Sequence, residues 1–389
     1  MASPVGEKVI TEALSYKNAI FKFISPNDVN ATGAHQTGFY MPKGVWEMYT
    51  PNPPQKGVNS DHPVRIEWQN GLVTESVIYW YGKAKSEYRL TRFGRDFPYL
   101  AADNVGDLLV LIPKNTSEFL GYVLDLEEDI EEVLSTLGVQ PFDRWAVYRN
   151  GTAEVEDQDE CLSRSMFDFA SKFTAFPSGE IFSSAAREIL EHCIKEFLKL
   201  KSDEKLVNYY KTEYRLFQIL ERQICQEEIV RLFKDVDDFL QTAGSIMNRR
   251  KSRAGRSLEN HIDYLLDQAK VPHDVRPTLD GRPDIVIPSK DAYLNSSYPI
   301  EKLFVVGVKT TCKDRWRQVL NEGKRVKEKY ILTLQPGISK NQLNEMHKAS
   351  VSLVVPKSIQ NDYPKDSAIK ILGVEDFISE VNEKLAISK

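Results

Sequence analysis

Four residues in the second half of the sequence combine types and an order that suit phosphodiester chemistry. Glu259 lies in SLENHIDYLLDQA, Asp284 in GRPDIVIP, Lys309 at the end of VVGVKT, and Glu322 in LNEGKR. Carboxylates are the hard oxygen ligands that Mg²⁺ prefers. A cation held there can activate water and stabilise a phosphate undergoing in-line displacement. A neighbouring lysine adds positive charge, or orients the water, as the pentacovalent phosphate forms. Asp284 at one strand start and Lys309 at another strand end converge if the two strands form a hairpin. The 13 residues from Lys309 to Glu322 suffice for a turn and part of a helix to return a carboxylate. Acids near strand ends and a strand-terminal lysine are also ordinary solvated surface charges, and spacing alone leaves both readings open.

The elements that must position these residues follow from pattern. Ser257–Ala269 predicts a helix opened by a serine cap, and SSAAREILEHCIKEFLKL predicts another, from Ser183, with Ile189, Cys193, Phe197 and Leu200 on one face. Glu204–Leu220 and Glu227–Thr242 are further helical patterns. Strands are expected at Pro283–Ser289, Lys302–Thr310, Lys329–Leu334, Ser350–Pro356 and Ala368–Gly373. Helical segments between several of them make this half α/β with a mixed sheet.

Lys313, Asp314 and Arg315 follow the lysine strand directly. Lysine and arginine can meet the two major-groove acceptors of guanine, and a carboxylate can accept from cytosine N4. The same triplet also suits a salt-bridged, solvated helix start. Trp316 fits core packing better than base stacking, and Arg317 suits either a phosphate contact or a brace. NRRKSRAGR (Asn248–Arg256) is either a phosphate-contacting segment or a basic surface loop.

The first 150 or so residues carry β signals instead. VRIEWQN, LVTESVIYWYG, EYRLTRF and DLLVLIP are short, rich in β-branched and aromatic residues, and punctuated by turn formers. They predict a mostly β domain, barrel-like, with a helix near Asp129–Leu137. GAHQTGFYMPKG puts His35, Gln36, Tyr40 and Lys43 on a glycine-flanked loop. In KAKSEYRLTRFGR, Lys83, Lys85, Glu87 and Arg89 alternate, so a strand would present them on one face.

Composition bounds the rest. At 389 residues the chain suits two or three domains. Its net charge of −5 excludes a uniformly basic nucleic-acid binder, while local basic clusters remain available for clefts. No run of about 18 apolar residues signals a membrane span, and the N-terminus lacks a secretory pattern. The four cysteines form no CxxC pair. Their scatter argues against a zinc ribbon or a disulfide framework and suits a reducing cytoplasm.

GRPDIVIP…VVGVKTTCKDRWRQVLNEGKR resembles the PD-(D/E)xK nuclease pattern in the variant of the EcoRII-like restriction endonucleases. That variant moves the second metal carboxylate from the lysine strand to a downstream helix. Here Gly307 stands two residues before Lys309, where the plain pattern has an acid, and Glu322 is placed to replace it. RKSRAGRSLENHIDYLL resembles the helix of that group, with Glu259 as accessory carboxylate. These motifs span most of residues 245–335.

ATGAHQTGFYMPKG and EYRLTRFGRDFP resemble the N-terminal effector domain of the same group, a DNA-binding pseudobarrel whose two arms grip the major groove. The resemblance implies a pseudobarrel at residues 1–170, a linker at 171–182 and an α/β PD-(D/E)xK domain at 183–389. It implies a Mg²⁺-dependent type II enzyme cutting double-stranded DNA at a CC/GG-framed site with a central A·T pair. Asp284 and Glu322 would be metal ligands, and Lys313, Asp314, Arg315 and Arg317 would contact DNA. His35, Gln36, Tyr40, Lys43, Lys83, Lys85, Glu87, Arg89, Arg92 and Arg95 would bind a second copy of the site. The near-palindromic site implies a homodimer, and a cognate DNA methyltransferase in the same host is the implied functional, non-physical partner. The effector domain is also expected to occlude the catalytic cleft until DNA binds. A methylation-dependent nuclease and a regulator that no longer cuts are the alternatives.

Overall fold

Apolar runs that neither alternate nor break become strands buried on both sides, and LLVLIP is one of them. The computed structural model describes residues 3–29, 37–141, 145–153, 160–364 and 367–386. The chain divides into two compact units. One is Met1–Glu154 with Pro336–Gln342 and Asp362–Ser367; the other is Val155–Gln335 with Leu343–Asn361 and Ala368–Lys389.

The first unit contains β1 (Ala19–Phe23), β2 (Phe39–Met41), β3 (Ser60–Trp68), β4 (Val73–Trp80) and β5 (Tyr88–Thr91). It continues with β6 (Leu108–Pro113), β7 (Glu118–Leu124), β8 (Trp145–Arg149) and β9 (Thr152–Ala153). They form one sheet in the order β2-β5-β4-β3-β7-β6-β1-β8-β9, antiparallel except for β3 with β7. Among the described residues the two end strands do not pair with each other, so the expected barrel is an open one. Central β6 serves both faces. Leu109 and Leu111 join an aromatic-rich core with Trp68, Phe93 and Phe97, whereas Leu108, Val110 and Ile112 face the helices.

Those helices are α1 (Pro4–Tyr16) and α2 (Glu127–Leu137). The expected helix near Asp129 is α2; α1 is additional. Its start follows from local chemistry: Ser3 caps Val5 and Gly6, and Pro4 needs no amide partner at the first turn. Asp129 of α2 accepts from the Ser3 amide at 2.6 Å and from its hydroxyl at 2.5 Å.

The second unit holds β10 (Asp274–Val275), β11 (Ile285–Ile287), β12 (Phe304–Lys309), β13 (Lys329–Thr333), β14 (Val351–Val354) and β15 (Ile371–Leu372), paired in sequence order. β10, β11 and β12 are antiparallel; β12 to β15 are parallel. This is the expected mixed sheet, with β10 added. Its main helices are α3 (Glu160–Ala170), α4 (Gly179–Cys193), α5 (Ser202–Val230) and α6 (Val236–Gln268).

Three helix expectations need correction. The first concerns α4, which is capped by Ser178 rather than Ser183, and ends at Cys193. Ser183 is interior and buried, donating to Glu213 at 2.7 Å, and Glu213 in turn meets His261 at 2.9 Å. The Glu227–Thr242 pattern is interrupted between Val230 and Val236, where α5 gives way to α6. Ser257 caps nothing, because α6, which starts at Val236, has already run for nearly six turns there. The basic NRRKSRAGR stretch is therefore helix, not loop. Arg249 pairs with Glu228 and Arg250 with Glu221, both on α5, and Arg253 lies over the Tyr214 ring.

Cysteine spacing also misled: Cys161 of α3 and Cys193 of α4 form a disulfide. Cys225 and Cys312 are buried and form no disulfide.

Candidate active site

Antiparallel pairing of β11 with β12 places Ile285 opposite Val306. Asp284, one residue before β11, therefore lies beside the far end of β12. Its Oδ2 accepts from the Val308 amide at 2.7 Å and from Lys309 Nζ at 2.8 Å. The two strands are connected through Pro288–Leu303 rather than by a hairpin turn, but the expected convergence is present.

Glu322 arrives from the other direction. After β12, residues Arg315–Asn321 form a short 3-10 helix, and Glu322 caps its end. The returning element is thus a short 3-10 helix rather than part of an α-helix. Glu322 is 7% exposed, and its Oε2 is buried with no hydrogen-bond partner among the described residues. Burial pushes its pKa up to about 7; Lys309 opposes that rise and Asp284 adds to it. Lys309 and Asp284 thus both act electrostatically on Glu322.

Gly307 accounts for the absent strand acid. A Cβ there would point toward Asp284 Oδ2, at 3.9 Å, so the position does face the site. Val319 Cγ2 would lie 3.1 Å from that Cβ, so a carboxylate arm there would have to push the valine aside. The 3-10 helix fills the space from which an acid would otherwise reach, and supplies Glu322 in its place.

Glu259 projects from α6, half-buried, and is bonded to Arg276. Burial raises its pKa, Asp284 raises it further, and Arg276 works against both. Among the described residues no three acidic, histidine or cysteine side chains form a group able to hold a metal. The donor set that fits a hard cation is Asp284 with the unpartnered Oε2 of Glu322, a pair suited to an ion that keeps several waters, as Mg²⁺ does.

The charged segment after β12 is not uniformly exposed. Lys313 is 7% exposed, Asp314 is exposed, and Arg315 is half-buried. Trp316 is buried, as expected for packing. Arg317 lies over the Trp316 ring and bonds Glu345 at 2.6 Å.

In the first unit, His35 and Gln36 lie outside the described residues. Tyr40 is half-buried, Lys43 is exposed beside the Trp80 ring, and Arg92 and Arg95 are exposed. Lys83, Lys85, Glu87 and Arg89 do not share a strand face. The two lysines occupy a turn ahead of β5, and Ser86 adopts φ +50°. Arg89 is buried, pairing with Glu87 at 2.9 Å and donating to the Gly38 carbonyl. Period-two spacing fails here because the turn absorbs the first half of the pattern.

Arg276, Asp280 and Lys329 went unnoticed in the sequence. Asp280-Gly281 is a turn dipeptide, and that signal was available; nothing local marks Lys329.

A mixed sheet that sets a strand-start aspartate against a strand-end lysine, with a buried glutamate beside them, defines a nuclease domain of restriction-endonuclease type. Comparison with known proteins makes the assignment specific. Residues 217–378 match the family described as EcoRII C terminal, and residues 15–145 match Restriction endonuclease EcoRII, N-terminal. The type II restriction enzyme EcoRII of Escherichia coli is 29% identical over 378 residues, covering 92% of this chain and 93% of that protein. The type II restriction enzyme SsoII of Shigella sonnei is 27% identical over 148 residues, 34% of this chain and 47% of that protein. Among solved structures, metal-depleted Ecl18kI in complex with uncleaved, modified DNA aligns with a TM-score of 0.46 at 21% identity, covering 59% of this chain and 85% of that one. The PspGI–substrate DNA complex aligns with 0.45 at 14% identity, covering 55% and 94%. The chain belongs to the EcoRII-like type II restriction endonucleases.

Proposed function

We propose that this chain makes sequence-specific double-strand breaks in DNA at a short CC/GG-framed site of the CCWGG kind, by Mg²⁺-dependent phosphodiester hydrolysis. The observation that carries the reading is the convergence of Asp284, Lys309 and Glu322 from three separate chain segments. Asp284 and Glu322 would hold Mg²⁺, which when bound supplies Lewis acidity and lowers the pKa of water. Lys309, pre-oriented by Asp284, holds positive charge where the phosphate becomes most negative. Glu259 acts as accessory carboxylate once Arg276 releases it. Lys313, Asp314 and Arg315 read G·C pairs, and Arg317 braces the segment or contacts phosphate.

The first unit binds a second copy of the site through the segments bearing His35, Gln36, Tyr40 and Lys43 and bearing Lys83 to Arg95. Arg89 serves there by bracing Gly38. That binding relieves occlusion of the catalytic cleft. A two-fold site calls for a homodimer, each copy cutting one strand. The functional division is 1–170, 171–182 and 183–389. Because α3 is joined to α4 by a disulfide, a catalytic fragment is best begun at Glu160.

The test is digestion of a sequenced plasmid with and without Mg²⁺, followed by mapping of the fragment ends. Ends at a CC/GG-framed site, formed only with Mg²⁺, are expected. No cutting at any Mg²⁺ concentration would favour a regulator, and cutting of methylated DNA alone would favour a modification-dependent enzyme. A fragment from Glu160 that cuts single-site DNA no better than the whole chain removes the occlusion.

A further inference from the structure

Among the described residues Glu322 Oε2 has no hydrogen-bond partner to hold it, so the position of this carboxylate depends on the backbone that carries it. Every amide of that backbone from Glu322 to Val326 is bonded. Asp280 accepts from the Gly323 amide through its own carbonyl at 2.9 Å, and from the Lys324 amide through Oδ2 at 2.6 Å. Its Oδ1 accepts from the Tyr293 hydroxyl at 2.8 Å, and the same hydroxyl receives the Arg325 amide at 3.1 Å. From the other side Lys329, 3% exposed, directs Nζ to the Gly323 carbonyl at 2.6 Å and to the Val326 carbonyl.

Close contact reinforces these bonds. At Gly281, φ is +74°, and a Cβ would lie 2.6 Å from Glu322 Cα and 2.2 Å from the Asn321 carbonyl oxygen. At Gly323, φ is +52°, and a Cβ would lie 2.6 Å from Val305 Cγ2 on β12. The turn that precedes Asp284 thus presses directly on the turn that carries Glu322. Arg325 anchors the far end, its guanidinium donating to the carbonyls of Ala292, Tyr293 and Tyr298.

We infer that Asp280 and Lys329 are positioning residues which, with Tyr293, lock the Gly323–Val326 turn and thereby set the distance between the Glu322 and Asp284 carboxylates. The inference rests on those two acids being the cation-holding pair. A migrated carboxylate needs such a device. An acid on the lysine strand would be placed by the sheet ladder, whereas one at the end of a 3-10 turn has no ladder. Outer residues of this kind typically change metal affinity or activity by about 10–100-fold when lost.

The test uses the full chain and Mn²⁺, with free ion counted by its paramagnetic resonance signal, alongside the Mg²⁺ concentration that half-saturates plasmid cleavage. Asp280→Ala should weaken Mn²⁺ binding about 10–100-fold while thermal unfolding and DNA retention without divalent ions stay as in the parent. Asp280→Asn keeps one acceptor and should fall between the two. If Asp280→Ala fails to fold, Tyr293→Phe removes the bridging hydroxyl at constant shape and should weaken Mn²⁺ binding by a smaller factor. Parental Mn²⁺ affinity in a folded Asp280→Ala, or in Tyr293→Phe where that variant stands in, overturns the inference. Asp284→Ala is the separate control: if it retains parental Mn²⁺ affinity, the assignment of the cation-holding pair fails instead.

Discussion

Lys309 Nζ lies 2.8 Å from Asp284 Oδ2, although the two residues are 25 positions apart. The contact exists because β11 and β12 run antiparallel, with Asp284 at the entry of one and Lys309 at the exit of the other. Asp284→Ala should reduce cleavage at least ~10³-fold, since it removes a cation ligand and the partner that orients Lys309. The pair is partly solvated, with side chains 20% and 15% exposed, so thermal stability should move little. Plasmid cleavage beside a gel-shift assay checks this; retained cleavage would remove Asp284 from the site.

The glycine at 307 gives a sharper test of where the second acid belongs. Glu322→Ala should be inactive, and adding Gly307→Glu should not restore activity, because Val319 Cγ2 sits 3.1 Å from the would-be Cβ. Adding Val319→Ala to that pair should recover a measurable fraction. Rescue by Gly307→Glu without the valine change would show that steric exclusion is not what displaced the acid.

How much of this was legible in the sequence depends on the distance over which each feature is determined. Strands β3 to β6 of the first sheet and β11 to β15 of the second were visible because β-branched runs and their breakers are local signals, whereas β1, β2 and β7 to β10 were not foreseen. Glu259, Asp284, Lys309 and Glu322 stood out through type and order, and the likeness of their surroundings to the EcoRII pattern weighted that order. The features missed are set by tertiary partners. Ser183 has the composition of a cap but spends its hydroxyl on Glu213 of another helix. The Lys83–Arg89 alternation was cut by a turn that no period reveals. Cys161 and Cys193 are 32 residues apart, and only the packing of α3 on α4 brings them together. Asp280 and Lys329 act largely on backbone groups of another segment, so beyond the Asp280-Gly281 turn dipeptide nothing local marks them.

His273 supplies a pH test away from the site. Its side chain is 3% exposed, with Nε2 2.8 Å from Asp263 and Nδ1 2.8 Å from the Val271 carbonyl. Burial pushes its pKa down, but Asp263 and the carbonyl push it up by more, so the net shift is upward. A raised folded pKa adds stability that is complete below the unfolded value of about 6.5 and is lost as pH rises through the folded value. Asp263→Asn should therefore lower the melting temperature at pH 6 and lose most of that deficit by pH 9. A deficit constant across that range would mean the pair contributes packing rather than charge.

The last prediction concerns Asp28, at the base of the segment that leads to Tyr40. Its carboxylate accepts from the Ser25 amide and hydroxyl at 2.8 and 2.7 Å and from the Tyr40 amide at 2.9 Å, and it pairs with Lys22. Its carbonyl receives the Gly38 amide at 2.9 Å, so one residue ties together both ends of the stretch between Asp28 and Gly38. Asp28 and Lys22 are 1% and 2% exposed. Removing the acid alone leaves a buried ammonium without its counter-charge, which typically costs about 3–5 kcal/mol. Asp28→Ala should show that loss in urea unfolding followed by tryptophan fluorescence, since Trp46, Trp68, Trp80 and Trp145 all lie in this unit. Lys22→Met added to Asp28→Ala should recover part of it, because the stranded charge is gone while the lost amide bonds are not. A double variant no more stable than the single would place the whole cost in the backbone anchors, and Asp28 would then matter as the clasp of this segment alone.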